Sequence, residues 1–309
     1  MKTLVRIGTR GSQLALWQAN YVKDRIELEV PRTTVEITVI KTTGDRITDR
    51  PLAMVGGKGL FVKEIETALM ENRIDLAVHS MKDMPGELPA GLIIGAIPQR
   101  ENPFDVMICQ KKMTLAEYPK GARIGTSSLR RGSQLKHARP DFEILSIRGN
   151  LDTRLKKLKS GEYDAIVLAA AGLRRLGQEN KITEYLTQET MVPAVGQGAL
   201  CIQARENDAQ MAPIMATLDH WETRICVEGE RAFLKQIEGS CHIPVACFGI
   251  LQDNKVSFTA IVASEDGKEV IKETMISAPD TVVETGRKLA EQLLKNGGKR
   301  ILESLNPHE

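Results

Sequence analysis

The sequence predicts two α/β units in series, followed by a small α+β domain. Strand, turn and helix signals recur in that order through the first two thirds of the chain. Two segments rich in turn-forming residues, 98–103 and 193–198, interrupt the pattern. The last third changes to alternating strands joined at Asp253-Asn254 and Asp266-Gly267.

Leu4 to Ile7 reads as a strand, and Ser12 is placed to cap a helix with Leu14, Trp17, Tyr21 and Val22 on one face. Val35, Ile37 and Val39 alternate as a second strand. After a polar loop reaching Met54-Val-Gly-Gly-Lys58-Gly59, a helix is marked by Phe61, Ile65 and Leu69, and a strand by Asp75 to His79. Leu92 to Ile97 closes the first unit, and Pro98 to Pro103 is the first crossing. In the second unit, strands at Asp105 to Cys109, Arg123 to Gly125, Glu143 to Ile147 and Ala165 to Ala169 alternate with helices. Those helices run from Thr126-Ser127-Ser128 to His137, through Leu151, Leu155 and Leu158, and from Ala170 to Leu176. No sequence repeat is apparent between the units.

Pro193 to Gly198 is the second crossing, and two crossings imply that the strand Ala199 to Ala204 returns to the first sheet. Asp219 and Glu222 suggest a capping box for a helix ending near Ile237. Strands at Val245 to Leu251, Lys255 to Ala263 and Lys268 to Ser277 precede a helix from Thr281 to Lys295 that stops at Asn296-Gly297-Gly298. The expected domains are 1–98 with 199–216, then 104–192, then 221–309.

Composition narrows the function. At 309 residues, with 42% hydrophobic and 27% charged residues, the chain has the make-up of a multi-domain globular protein. A net charge of +2 and an aromatic content of 4% without interleaved basic residues argue against a nucleic-acid partner. No apolar run approaches the ~20 residues needed to span a bilayer. Five widely spaced cysteines form no disulfide frame, so a reducing compartment is expected. The N-terminal residues enter a strand without an h-region, which makes the cytoplasm the expected location.

Charged and hydroxyl residues gather at the carboxyl ends of the expected strands, where ligands of open α/β sheets collect. They are Thr9-Arg10-Gly-Ser12, Ser80-Met-Lys82-Asp83, Thr126-Ser127-Ser128-Leu-Arg130-Arg131, Arg148-Gly149-Asn150 and Arg154. Arginine grips carboxylates through paired hydrogen bonds, so several arginines along one edge point to a ligand with several carboxylates. Asp83 has the opposite sign and suits a cation that develops on the substrate. Taken singly, each arginine is more readily read as a solvated surface charge, and Asp83 equally well as a salt-bridged turn residue. Cys241 sits between a glycine turn and Pro244, a position that displays a thiol; a small half-buried hydrophobe is the plainer reading.

Three motifs fail. The Gly56-Gly57-Lys58-Gly59 stretch has Leu52 where a phosphate loop needs its first glycine and Gly59 where it needs Ser or Thr. Gly196-Gln-Gly198 lacks the third glycine of a dinucleotide fingerprint. Cys241, His242 and Cys247 lack a second ligand pair, so no metal is expected. His79, on an apolar strand, reads as a satisfied core residue.

Five segments in order resemble the porphobilinogen deaminase (hydroxymethylbilane synthase) family, and the resemblance covers essentially the whole chain. The most specific is Glu230-Arg231-Ala-Phe233 continuing through Gly239-Ser240-Cys241-His242-Ile243-Pro244-Val245-Ala246, which looks like the family's cofactor-attachment signature. The others are Val55 to Glu64, Ala77 to Pro85, Gly125 to Arg131 and Pro193 to Ala199. The resemblance implies two domains like type II periplasmic binding proteins plus the small α+β domain with a three-stranded antiparallel sheet. It implies a monomeric transferase that condenses four porphobilinogen molecules head to tail into hydroxymethylbilane, in tetrapyrrole (haem-type) biosynthesis. The implied cofactor is a dipyrromethane, made from substrate and held as a thioether on Cys241. Asp83 is the implied catalytic residue, steadying the azafulvenium cation formed as the amine leaves.

Lys82, Thr126, Ser127, Ser128, Gly149, Arg130 and Arg131 are the expected cofactor contacts. Arg10, Ser12, Lys58, Phe61, Arg148, Asn150, Arg154 and Gln197 are the expected substrate contacts. Met54 departs from a lysine common in the family, and Ser240 from a commoner glycine. Two other classes compete: a non-catalytic two-lobed carboxylate-binding protein, which leaves Asp83 and Cys241 without roles, and a cysteine-nucleophile hydrolase or ligase. The second needs a base oriented by a third group, and nothing identifies one.

Overall fold

The computed structural model describes residues 2–46, 59–237 and 243–305. Its first elements are β1 (Leu4–Thr9), α1 (Gln13–Glu29), β2 (Thr34–Val39), α2 (Thr43–Arg46), α3 (Lys63–Met70), β3 (Leu76–Ser80) and β4 (Leu92–Ala96). Next come β5 (Asp105–Cys109), β6 (Arg123–Gly125), α4 (Leu129–Ala138), β7 (Glu143–Leu145), α5 (Leu151–Lys159), β8 (Ala165–Ala169), α6 (Ala170–Arg175) and β9 (Glu184–Leu186). The chain ends through β10 (Leu200–Arg205), α7 (Ala212–Leu218), α8 (Trp221–Gln236), β11 (Val245–Gln252), β12 (Lys255–Ala263), β13 (Val270–Ser277), α9 (Val282–Leu293) and α10 (Lys299–Leu305). The chain divides into two compact units, Met1–Glu101 with Ala199–Arg224, and Asn102–Gly198 with Ile225–Glu309.

In the first unit the sheet order is β2-β1-β3-β10-β4. Strands β1, β2 and β3 are parallel, and β10 runs antiparallel between β3 and β4. Val5, Ile7, Leu76 and Ile202 from the sheet pack with Val22 and Ile26 of α1 in one core. Ser12 caps α1 by accepting the Ala15 N–H at 3.2 Å. The buried face of that helix is Ala15, Gln18, Ala19, Val22 and Ile26, so the apolar stripe expected through Trp17 is displaced. Small side chains let the helix approach the sheet, while Trp17 lies outside and stacks on Tyr21 with centroids 5.6 Å apart.

The second unit holds a sheet of order β7-β6-β8-β5-β9 and the antiparallel sheet β11-β12-β13. Its α/β sheet repeats the first one: β7, β6 and β8 are parallel, and β5 runs antiparallel between β8 and β9. Superposing these orders aligns Arg6-Ile-Gly-Thr9 with Arg123-Ile-Gly-Thr126, a repeat too short to be apparent in the sequence alone. A shared ion pair makes the correspondence physical. Arg6 donates its backbone N–H and Nε to Asp75 Oδ2 at 2.9 and 3.3 Å, and its Nη2 to the Asn72 carbonyl at 2.9 Å. Arg123 does the same to Asp164 Oδ2 at 2.8 and 3.2 Å and to the Gly161 carbonyl at 3.0 Å. In each unit the pair ties the start of a central strand to the residue before its parallel neighbour.

The antiparallel sheet packs α8 and α9 on one face. Gly286 of α9 lies so close to α8 that an added Cβ would sit 2.2 Å from the Gly229 carbonyl oxygen. On another face Ala246, Phe248 and Ile261 pack with Val192, from the segment between β9 and β10, and Phe104, just before β5, lies edge-on to Phe248 at 6.1 Å. Asp253 and Asn254 both take positive φ, 50° and 56°, as a two-residue primed turn requires.

Short elements escaped the sequence reading. Strand β9, helix α7 and helix α10 are each too brief to show a period. The capping box at Asp219 and Glu222 is not formed. Asp219 accepts the Ile97 N–H at 2.8 Å and holds Arg224, and the Thr223 N–H goes to His220 Nδ1 at 3.3 Å.

Candidate active site

One recess in the first unit gathers Arg10, Ser12, Phe61 and Asp83, with Gln18 and His79 behind them. Arg10 and Ser12 follow β1, and Asp83 ends a single 3₁₀ turn, Met81–Asp83, that follows β3. That turn is pinned by Met81 and Met84, each 1% exposed, and by the Met81 N–H donating to the Ala199 carbonyl at 3.0 Å. Two buried methionines on either side therefore hold Lys82 and Asp83 at the surface, both half-buried.

The Arg10 guanidinium stacks 4.0 Å above the Phe61 ring and donates Nε and Nη2 to Asp45 Oδ1 at 3.0 and 2.5 Å. Burial raises the Asp45 carboxyl, but hydrogen bonds from Arg10 and Thr42 outweigh it and hold the group below its ordinary value. An internal carboxylate thus occupies the fork of Arg10. His79 Nε2 lies 3.2 Å from Gln203 Oε1, and Gln203 Nε2 donates to Glu66 Oε1 at 2.9 Å, which leaves the Gln203 oxygen to accept from a neutral imidazole. Burial pushes His79 down to about 4, and the Arg10 charge adds to that. It is the satisfied core histidine that the sequence suggested.

A second group lies within the second unit. Ser128 caps α4, with the Arg131 N–H 3.5 Å from its Oγ. Arg130 and Arg131 in the first turn of that helix are only 5% and 6% exposed. Both turn onto Asp105, which is fully buried at the start of β5. Arg130 donates Nη1 to Oδ2 at 2.7 Å and Nη2 to Oδ1 at 3.1 Å; Arg131 donates Nε to Oδ1 at 2.8 Å. Gln197 Nε2 adds a bond to Oδ1 at 3.1 Å and one to the Pro103 carbonyl at 2.7 Å. Burial and the neighbouring Arg130 hold the Arg131 guanidinium below its ordinary value against the pull of Asp105.

Ser127 positions the next segment. Its hydroxyl donates to the Ile147 carbonyl at 2.6 Å and accepts the Ile147 N–H at 3.1 Å, so Arg148 follows a fixed point. Thr126 Oγ1 accepts the Ser128 N–H at 3.2 Å. Asn150 caps α5 through Thr153, and Arg154 Nε donates back to the Gly149 carbonyl at 2.9 Å. Arg148 Nε is buried and has no hydrogen-bond partner among the described residues.

Two family models match this chain. "Porphobilinogen deaminase, dipyromethane cofactor binding domain" covers residues 5–213, and "Porphobilinogen deaminase, C-terminal domain" covers residues 224–295. The chain belongs to the porphobilinogen deaminase family. A porphobilinogen deaminase from Syntrophobacter fumaroxidans is 48% identical over 302 residues, 98% of each chain. One from Desulforamulus reducens is 46% identical over 309 residues, the full length of both. Among solved structures, the methionine-binding protein MetQ is 13% identical, covering 70% of this chain and 89% of its own, with a TM-score of 0.45.

The dipyrromethane of this family is an acidic group, and the residues present fit it. Two buried guanidiniums face a single carboxylate in the second unit, and the Arg148 Nε is an orphaned buried donor. Cys241 and Lys58 lie outside the described residues, as do Met54, Ser240 and His242. The ends that flank Cys241 are held: Ile237 is buried in the core between α8, α9 and the antiparallel sheet, Ile243 packs against that core, and the Ala263 N–H donates to the Pro244 carbonyl at 3.0 Å. Of the other cysteines, Cys201, Cys226 and Cys247 are buried and Cys109 is half-buried.

Sequence reasoning missed Asp45, Gln18, Asp105 and Arg175. Asp105 had a signal: an acid opening an apolar strand in a segment that also carries an Arg-Arg pair. Arg175, buried with Nη2 donating to the Gly198 carbonyl at 2.7 Å, resembled any charge ending a helix.

Proposed function

We propose that this chain is a hydroxymethylbilane-forming transferase that joins four porphobilinogen molecules head to tail and releases ammonia. Identity of 48% to a porphobilinogen deaminase over 98% of the chain carries the reading. The recess in which Asp83 stands with Arg10 and Ser12 supplies the chemistry.

Each substrate brings two carboxylates and an aminomethyl group, so binding needs cations and departure of the amine needs one anion. Arg10, Ser12, Lys58, Arg148, Asn150 and Arg154 take substrate acetate and propionate groups, with Phe61 bracing the Arg10 fork; Gln197, expected among them, is instead fully buried with its amide N–H groups on Asp105 and the Pro103 carbonyl. A substrate carboxylate at Arg10 replaces Asp45, which already shows the geometry the fork accepts. Asp83 stabilises the positive charge that spreads over the substrate ring as ammonia leaves, and takes up the proton lost when the new bond forms. Held as a thioether on Cys241, the dipyrromethane supplies the free pyrrole end to which the first substrate is joined. Lys82, Thr126, Ser127, Ser128, Gly149, Arg130 and Arg131 bind its carboxylates. Tethering keeps the growing end at high effective concentration.

We place the work in three domains, 1–98 with 199–216, 104–192 and 221–309; the separate apolar core around α8, α9 and the antiparallel sheet supports the third. No described helix is long and apolar enough to cross a membrane. A cytoplasmic monomer is our reading. The direct assay is ammonia release from porphobilinogen by the purified protein. One ammonia per porphobilinogen consumed, with a linear tetrapyrrole product, is expected; substrate bound but not consumed would favour the non-catalytic carboxylate-binding class.

A further inference from the structure

We propose that Asp105 is a positioning residue that makes Arg130 and Arg131 a single receptor of net charge +1, fitted to one carboxylate. Asp105 and Gln197 are fully buried, and the two arginines nearly so. Among the described residues Asp105 is the only acid with which either guanidinium pairs. It accepts from both, cancels one charge and leaves the other for a ligand. Remaining contacts of the arginines are the Val192 carbonyl at 2.8 Å from Arg130 Nη1 and the Val167 carbonyl at 3.1 Å from Arg131 Nη1, which fix their planes without adding charge. A buried carboxylate shared by two guanidiniums orients both forks before any ligand arrives.

The first unit is an internal control. Its helix cap Ser12 accepts the Ala15 N–H as Ser128 accepts that of Arg131, so Leu14 and Ala15 stand where Arg130 and Arg131 stand. Leu200 faces Ser80 across its sheet as Asp105 faces Ala169. The same scaffold therefore carries Leu14, Ala15 and Leu200 in one unit, the first two lining its recess, and Arg130, Arg131 and Asp105 in the other. Folding does not demand the charges, and the acid accompanies the arginines. The identity of the carboxylate as one of the dipyrromethane's rests on the function proposed above; the charge count does not.

The test uses the full chain with Cys241→Ser, so that no primer competes, and acetate as the probe. Melting temperature is measured in sodium acetate against sodium chloride at equal ionic strength. The parent should be stabilised by acetate over chloride. Arg131→Gln, with net charge zero, should lose at least half of that difference, and Asp105→Asn/Arg131→Gln, again +1, should regain it. Asp105→Asn alone should either exceed the parent's acetate effect or fail to fold while the double variant folds. An acetate effect that is absent in the parent, retained in Arg131→Gln or not regained in the double variant overturns the proposal, as does a double variant that cannot fold. An Asp105→Asn effect no greater than the parent's does so too. None of these readings involves turnover, so failure here and failure of the transferase reading are separable.

Discussion

At the residue scale, two groups of opposite character share the first unit's recess. Asp83 is a half-buried carboxylate held out by Met81 and Met84. Because its neighbours in the turn carry the packing, Asp83→Ala should leave the melting temperature near that of the parent. Turnover of porphobilinogen should fall by about 100-fold or more, the usual cost of removing a group that stabilises transition-state charge. Near-normal rates would assign the role to another carboxylate. His79 makes the opposite kind of prediction. Its folded value of about 4 lies below the unfolded 6.5, so between those values the unfolded chain binds the extra proton. Stability contributed by the neutral ring is complete above pH 6.5 and falls as pH drops toward 4, by roughly 3 kcal/mol at about 1.4 kcal/mol per unit. His79→Gln should flatten the melting temperature between pH 7 and pH 4.5 relative to the parent. An unchanged slope would mean that another group titrates there.

At the element scale, the hairpin between β12 and β13 supports the helix that carries the arginine pair. Gly267, with φ of +70°, lies so close to α4 that an added Cβ would sit 2.5 Å from the Ser133 carbonyl oxygen. The Gly267 carbonyl in turn meets His137 Nδ1 at 3.0 Å. Gly267→Ala faces both an unfavourable backbone region and a backbone clash, so a loss of about 1–3 kcal/mol is expected as a lower urea midpoint. An unaltered midpoint would show that the hairpin does not bear on the helix. Elements of this kind were legible in the sequence wherever a period or a cap announced them. Ser12 caps its helix as expected, the helix opened by Thr126-Ser127-Ser128 starts on Ser128, and β10 returns to the first sheet. Strand β9 and helix α7 were not legible, because three and seven residues carry too little periodicity. Trp17 misled because size suggested burial, whereas close helix–sheet approach selected Ala15 and Ala19.

At the scale of the molecule, the fold class and the two similar α/β units in series were readable, and the residue-by-residue correspondence between the units was not. Strand order and the paired Arg6–Asp75 and Arg123–Asp164 contacts reveal it, whereas the sequence retains only Arg-Ile-Gly-Thr in common at their start. The site was half legible: arginines at strand ends suggested a polyanion receptor, but Asp45 and Asp105, which pair with Arg10, Arg130 and Arg131, are distant in sequence and surfaced only through contacts. The central assignment, that Cys241 anchors a primer built from substrate, is tested most directly by the intact mass of protein purified from cells that make porphobilinogen. A stable adduct of two pyrrole units, absent from Cys241→Ser, is the expected result; an unmodified parent mass would contradict it.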